Sequence, residues 1–169
     1  MAELWDVLDI NRNPIGKLHE RGQPLGPGEY HLVIFVWIVN DRGEFLISKR
    51  SPNKPAPLLW ENTGGAAVTG DDSLTTALKE VREELGIILL PENGELYTSF
   101  RTDFPQGGGD FCDVWLFRQN CDLADVVLQP DETCDAMLAT KEQILQMMED
   151  GTFLPKSTYP YLDDFFAMF

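Results

Sequence analysis

Three glutamates, Glu80, Glu83 and Glu84, stand at i, i+3 and i+4 in the segment SLTTALKEVREELG. On a helix turning about 100° per residue they cluster on one side, while Leu74, Leu78, Val81 and Leu85 form an apolar stripe on roughly the opposite side. Like charges at these spacings repel and weaken a helix. A hard divalent cation reverses the sign, because Mg²⁺ prefers carboxylate and phosphate oxygens in octahedral geometry. The ordinary fate of such a run is a solvated acidic face. Its frame favours a ligand instead: Gly64-Gly65 upstream lets a backbone approach closely, and Gly86 stands where a helix-ending glycine belongs.

Charge narrows the partners. With 28 acidic residues against 13 Lys plus Arg, the formal charge is −15, so no nucleic acid polymer is expected as partner, since backbone binding needs clustered positive charge. A small anionic substrate remains compatible if a bound cation dominates the local field. Cys112, Cys121 and Cys134 show no C-x-x-C spacing, which points away from zinc and from a disulfide framework and towards free thiols in a reducing cytosol. The start MAELWDVLD is acidic where a signal peptide is basic, and no apolar run approaches 18 residues. A soluble, cytoplasmic protein without a membrane segment is expected.

The elements that must position the glutamates follow from patterning. Two strand-like runs around Asn11-Arg12-Asn13-Pro14 suggest an N-terminal hairpin over about residues 3–20. After a Gly- and Pro-rich link, 30–39 (YHLVIFVWIV) reads as a strand buried on both faces, followed by a turn at 41–44 and a strand at 45–49. Residues 51–58 hold three prolines and form a loop bordering the site. The glutamate helix is expected over 72–86, further strands over 96–103 and 111–118, and a second helix from the capping-box spacing Thr140-Lys141-Glu142-Gln143 to near Gly151. An aromatic tail, about 156–169, should dock on the body. The fold class is α/β (α+β), a helix, mixed-sheet, helix sandwich in a single domain of 1–169. Monomer and homodimer are both open, since the tail's rings suit either the domain's own core or a dimer contact.

The stretch from Gly65 to Ile87, GAAVTGDDSLTTALKEVREELGI, resembles the Nudix box G-x5-E-x7-R-E-U-x-E-E-x-G-U, in which U is a bulky aliphatic residue. Seven of its nine specified positions agree: Gly65, Glu80, Val81, Glu83, Glu84, Gly86 and Ile87. WDVLD, GEFLISKRS, LLWENTGG and Pro130-Asp131-Glu132 extend the likeness over most of residues 3–155. Asp71 replaces the first Glu of the box and Lys79 its Arg, which in the family orients a catalytic Glu; Lys79 is expected to reach Glu83 at i+4 with a single-point contact in place of a bidentate fork.

The resemblance implies a Nudix-type pyrophosphohydrolase acting on a small-molecule diphosphate. Mg²⁺ or Mn²⁺ would be held by Glu80, Glu83, Glu84 and the Gly65 carbonyl, with Glu83 or Glu84 as general base and Lys79 in support. Outside the box, Arg50 and Lys49 are candidates to neutralise phosphate, Trp60 and Phe104 to stack on a flat group, and Asp113, Asp131 and Glu132 to supply another carboxylate. Each has an ordinary alternative: charge balance for the cations, core packing for the aromatics, a surface or strand-edge position for the acids. His19 and His31 read more naturally as packed or exposed rings than as ligands. Two other readings compete. Isopentenyl diphosphate isomerases are similar in the N-terminal hairpin but carry a Cys and a His where this chain has Gly64 and Ala66; a non-catalytic nucleotide-binding Nudix module would be expected to lose the carboxylates first.

Overall fold

The computed structural model describes residues 1–169. Its strands are β1 (Leu4–Leu8), β2 (Pro14–Glu20), β3 (Tyr30–Val39), β4 (Glu44–Arg50), β5 (Trp60–Glu61), β6 (Thr63–Ala66), β7 (Gly94–Asp103), β8 (Gly109–Arg118) and β9 (Thr133–Thr140). The α-helices are α1 (Ser73–Leu85), α2 (Lys141–Glu149) and α3 (Leu162–Phe166). All nine strands belong to one mixed sheet. The N-terminal hairpin, β1 with β2, extends that sheet through Leu8 beside Tyr30.

β3 is the strand that organises the rest. It runs parallel to β8 along its whole length, from Tyr30 beside Gly109 to Val39 beside Arg118, and pairs antiparallel with β6 from Val33–Ala66 to Val36–Thr63. Its continuous apolar sequence reflects burial on both faces. Ile34, Val36 and Ile38 pack with Ala77, Val81 and Leu85 of α1. Trp37 and Val39 pack on the other face with Phe45, Ile144 of α2 and the rings of Tyr159, Tyr161, Phe165 and Phe166. The aromatic tail therefore covers the domain's own core, as its composition suggests, and Trp37 Nε1 donates to Tyr161 Oη at 2.9 Å.

β9 has no counterpart in the sequence reading. TCDAMLAT pairs antiparallel with β4 from Glu44–Thr140 to Arg50–Thr133, and only Thr133 and Ala139 in it are fully buried. A half-exposed strand rich in small and polar residues lacks the apolar alternation that marks a strand. β5 and β6 are too short, and β6 too rich in glycine, to show any period.

α1 begins and ends as its sequence requires. Asp72 caps the N-terminus by accepting from the Thr75 N–H at 2.7 Å, and Gly86 ends it at φ 67°, its N–H donating to Arg82 O. Its buried side differs from the expected stripe. Thr76, Ala77, Val81, Glu84 and Leu85 are buried, while Leu74 and Leu78 are only partly so. The helix lies against β6, where Gly64 and Gly65 offer no side chains to hold it off, and this closeness turns Glu84 inward instead of leaving all three glutamates on an outer face.

Candidate active site

Two chain segments are tied around the C-terminal half of α1. Thr133 Oγ1 donates to Glu84 O at 3.0 Å and the Gln129 N–H to the same carbonyl at 3.3 Å. The proline loop is fastened to the same segment, with the Ser51 N–H donating to Glu132 O at 3.0 Å and Ser51 Oγ to Asp131 O at 2.7 Å. Between them lies a polar cleft of about 200 Å³, lined by Glu80, Glu83, Glu84, Glu132, Lys54, Arg21 and the β6 residues Gly64 to Ala66. A wider concavity of about 650 Å³ near Asn40 and Asn120 is an open hollow between surface turns and holds none of these groups.

Burial sets the electrostatics of the cleft. Glu84 is 4% exposed, and burial, with Glu61, Glu80 and Glu132 nearby, pushes its carboxyl up to about 8 against the opposing pull of Lys54. Glu80 is pushed up to about 7, by burial first and then by Glu83. Glu83 is exposed. Glu61, on β5 behind the loop, is buried and its pKa raised by burial despite Arg50 Nη1 at 2.6 Å and Lys54 Nζ at 3.7 Å. Lys54 is the cation these acids share: its Nζ stands 2.7 Å from Glu132, 3.7 Å from Glu61 and 3.8 Å from Glu84. Burial works against its charge, but Glu132, Glu84 and Glu61 outweigh that and leave its pKa raised.

Of the candidates from the sequence, Gly65, Glu80, Glu83, Glu84 and Glu132 come together in this cleft. Arg50 does not line it: its guanidinium is taken up by Glu61 and by Pro55 O at 2.8 Å. Lys79 does not reach Glu83: its Nζ pairs with Asp71 Oδ2 at 2.6 Å, because Gly70 at φ 85° turns the chain so that Asp71 faces the first turns of α1. The two departures from the box are thus partners of each other. Asp113 also lies elsewhere. It is 1% exposed on β8, gripped through both carboxylate oxygens by Arg12 and by Ser99 Oγ at 2.6 Å, so it is neither a surface acid nor a cleft residue. Trp60 is half-buried against the aromatic core, with Lys49 Nζ 5.9 Å from its ring. Asp131 is exposed, and Phe104 lines a separate hollow with Trp5 and His31. His31 stacks on Trp5 at 4.1 Å, and His19 Nε2 bonds Gln23 O at 2.9 Å; both rings are packed.

Lys54 and Glu61 were absent from the sequence reading. Lys54 is a lone cation in a proline loop, and Glu61 sits in Trp60-Glu61-Asn62, which marked only the family likeness; neither has a periodic signal. As the side chains stand, no three His, Cys, Asp or Glu groups are arranged to hold a metal ion. The donor set nevertheless suits a hard divalent cation. It consists of carboxylate oxygens, Glu84 Oε2 is buried with no hydrogen-bond partner, and Glu80 folds against Gly65 into space that any Cβ there would fill.

The NUDIX domain profile matches residues 29–161. The chain belongs to the Nudix family. It is 39% identical to an uncharacterised Nudix hydrolase of Listeria monocytogenes, over 98% of this chain and 95% of that protein. An isopentenyl-diphosphate Delta-isomerase of Shigella flexneri is 30% identical over 75% of this chain and 81% of its own length. Among solved structures, a Deinococcus radiodurans protein superposes with a TM-score of 0.74 at 20% identity, covering 98% of both chains. This Nudix-type hydrolase shares its fold with that structure over nearly its whole length, and its class cleaves pyrophosphate bonds.

Proposed function

We propose that this Nudix hydrolase cleaves the diphosphate bond of a small molecule, a nucleoside diphosphate linked to another moiety, with Mg²⁺ or Mn²⁺ held by Glu80, Glu83, Glu84 and the Gly65 carbonyl. The observation that carries the reading is the buried, unpartnered Glu84 Oε2 at the base of a cleft whose other acids are Glu80, Glu83 and Glu132. Polar atoms buried without partners are rare and expensive, and an oxygen-seeking cation answers both that orphan and the repulsion among the carboxylates.

A bound divalent ion supplies a water of lowered pKa and charge neutralisation at the phosphates. The chain's own groups do the rest. Burial raises Glu80 and Glu84 to about 7 and about 8, and a cation bound beside them would favour their charged forms. Glu83, exposed on the same side of α1, is free to accept the proton of the attacking water as it adds to phosphorus and the other phosphate departs. Arg50 holds Glu61 in place at the back of the cleft.

The likeness to isomerases favours a second reading, in which a double bond migrates and no phosphate is released. Two features oppose it. Position 64 has no room for a cysteine side chain: a Cβ there would meet Ile34 O at 2.7 Å. Cys112 is buried on β8, and burial pushes its thiol up to about 12, far from the state a proton-transfer group needs at neutral pH.

The test is a panel of nucleoside diphosphate sugars, nucleoside triphosphates, dinucleotides and isoprenoid diphosphates with Mg²⁺, comparing the wild type with Glu83→Gln. Metal-dependent phosphate-bond cleavage, lost in Glu83→Gln, is expected. Cleavage that ignores both metal and Glu83 overturns the reading. Double-bond migration instead supports the isomerase, and binding without turnover a non-catalytic module.

A further inference from the structure

The acids of the cleft are arranged around a cation already, and that cation belongs to the protein. Lys54 is brought there by a loop with little freedom of its own. Pro52, Pro55 and Pro57 stiffen it, Ala56 and Leu58 take left-handed backbone angles at φ 49° and 62°, and Ser51 anchors its first residue to Asp131 and Glu132. The Lys54 side chain is 16% exposed, with Glu132, Glu61 and Glu84 all within 3.8 Å of its ammonium. An ammonium has three donors and no acceptor, so it satisfies carboxylates as a metal does, with longer contacts and a single charge. Only Glu132 meets Nζ at hydrogen-bond distance, 2.7 Å, while Glu61 and Glu84 stand at 3.7 and 3.8 Å, so the ammonium balances the charge of three acids that are not arranged at metal-ligand distances.

We propose that Lys54 is the resident counter-cation of the carboxylate cleft and that its ammonium has to leave Glu84 before a divalent ion can load, so that Lys54 sets the metal concentration at which the enzyme becomes competent. The proposal rests on the metal-dependent reading above. An ammonium beside Glu84 and a divalent ion on the same carboxylate repel strongly across so short a distance, so the two occupancies exclude each other. The loop is tied down at Ser51, and the movement falls to the lysine's four-carbon stem, which has ample rotamer freedom.

Two measurements on the full chain test this, both in chelator-treated buffer at fixed pH. In the first, Mn²⁺ affinity is measured by calorimetry for the wild type, Lys54→Met and Lys54→Arg. Lys54→Met keeps the stem and removes the charge, and is expected to bind Mn²⁺ about tenfold tighter or more, the scale on which residues behind metal ligands act. Lys54→Arg keeps the charge and is expected to stay within about threefold of the wild type, well short of the tenfold step that 1.4 kcal/mol represents. The second uses wild-type protein and does not depend on any variant folding. Lysines are reductively methylated with and without saturating Mn²⁺, and Lys54 is quantified by mass spectrometry. Its modification is expected to rise at least severalfold with metal while that of the exposed Lys17 is unchanged. Mn²⁺ affinity in Lys54→Met equal to or weaker than the wild type, or Lys54 labelling indifferent to Mn²⁺, overturns the proposal while leaving the metal-dependent reading intact. Wild-type protein that binds no Mn²⁺ overturns both.

Discussion

Replacing Gly65 by alanine should separate the metal site from the fold. A Cβ at this position would stand 2.5 and 2.7 Å from the two Glu80 carboxylate oxygens, where ordinary contact begins at 3.4 Å. The Glu80 carboxyl carbon, Cδ, would be closer still at 2.4 Å, so the carboxylate has to retreat by about 1 Å. Ligands to Mg²⁺ sit at about 2.0–2.1 Å with a tolerance of about 0.2 Å, so the displaced Glu80 no longer shares a cation with Glu83 and Glu84. Mn²⁺ affinity should fall by about tenfold to a hundredfold. Stability should change by less than about 1 kcal/mol, because the obstacle is the far end of a flexible side chain and Gly65 has no left-handed angle to protect. Gly64→Ala is the matched control. Its Cβ meets a backbone oxygen, Ile34 O at 2.7 Å, which cannot swing aside, so about 1–3 kcal/mol is lost and the melting temperature drops by several degrees. Calorimetric Mn²⁺ titration and thermal denaturation in chelator, run on both variants, check the pair. Gly65→Ala that binds Mn²⁺ like the wild type, or that unfolds as early as Gly64→Ala, would refute the reasoning.

The remaining expectations concern charge. Glu80 and Glu84 have folded-state pKa values raised to about 7 and about 8 from 4.5; the folded protein then binds more protons than the unfolded chain between about pH 4.5 and 8, so metal-free stability should fall as pH rises through that window, by up to about 8 kcal/mol for the two groups together. Denaturant titrations at pH 5 and pH 9 in chelator check this, and Glu84→Gln should flatten the difference. Cys112, buried and pushed up to about 12, should resist a thiol reagent at pH 8 in the native state while exposed Cys134 reacts; fast labelling of Cys112 would contradict its placement. Asp113→Ala leaves Arg12 without its partner and should cost about 2–4 kcal/mol, yet, lying outside the cleft, it should leave kcat within about threefold of the wild type in the assay for phosphate release.

What the sequence revealed and what it withheld divide along physical lines. β3, the capped α1 and the box of residues that opens α2 were legible because each carries its signal locally, in a continuous apolar run, an Asp72–Gly86 frame or the Thr140–Gln143 spacing. β9 was not, since its place depends on β4 lying alongside and its own residues are half-exposed. The three glutamates were recognisable from spacing, but Glu84's burial was not: it follows from how closely α1 can approach two glycines in a different strand. Lys54 and Glu61 reach the cleft only through tertiary folding of a proline loop over β5. Asp113 and Lys79 went astray for the same reason, each being claimed by a partner, Arg12 or Asp71, that helical or strand periodicity cannot foresee.

The aromatic tail over Trp37 has a consequence for how the chain reaches this structure. Trp37 and Tyr161 are 124 positions apart, and β3 pairs in parallel with β8 across a long crossover. Contacts of such separation close late and slowly, because the loop entropy is lost before the contact repays it. Until residues 159–166 arrive, the Trp37 and Phe45 face of the sheet is an uncovered apolar surface, the kind through which partly folded chains associate. Folding yield should therefore depend on concentration far more steeply than the finished molecule's −15 charge would suggest, since that charge protects the outside of the folded protein and does nothing for a core that is still open.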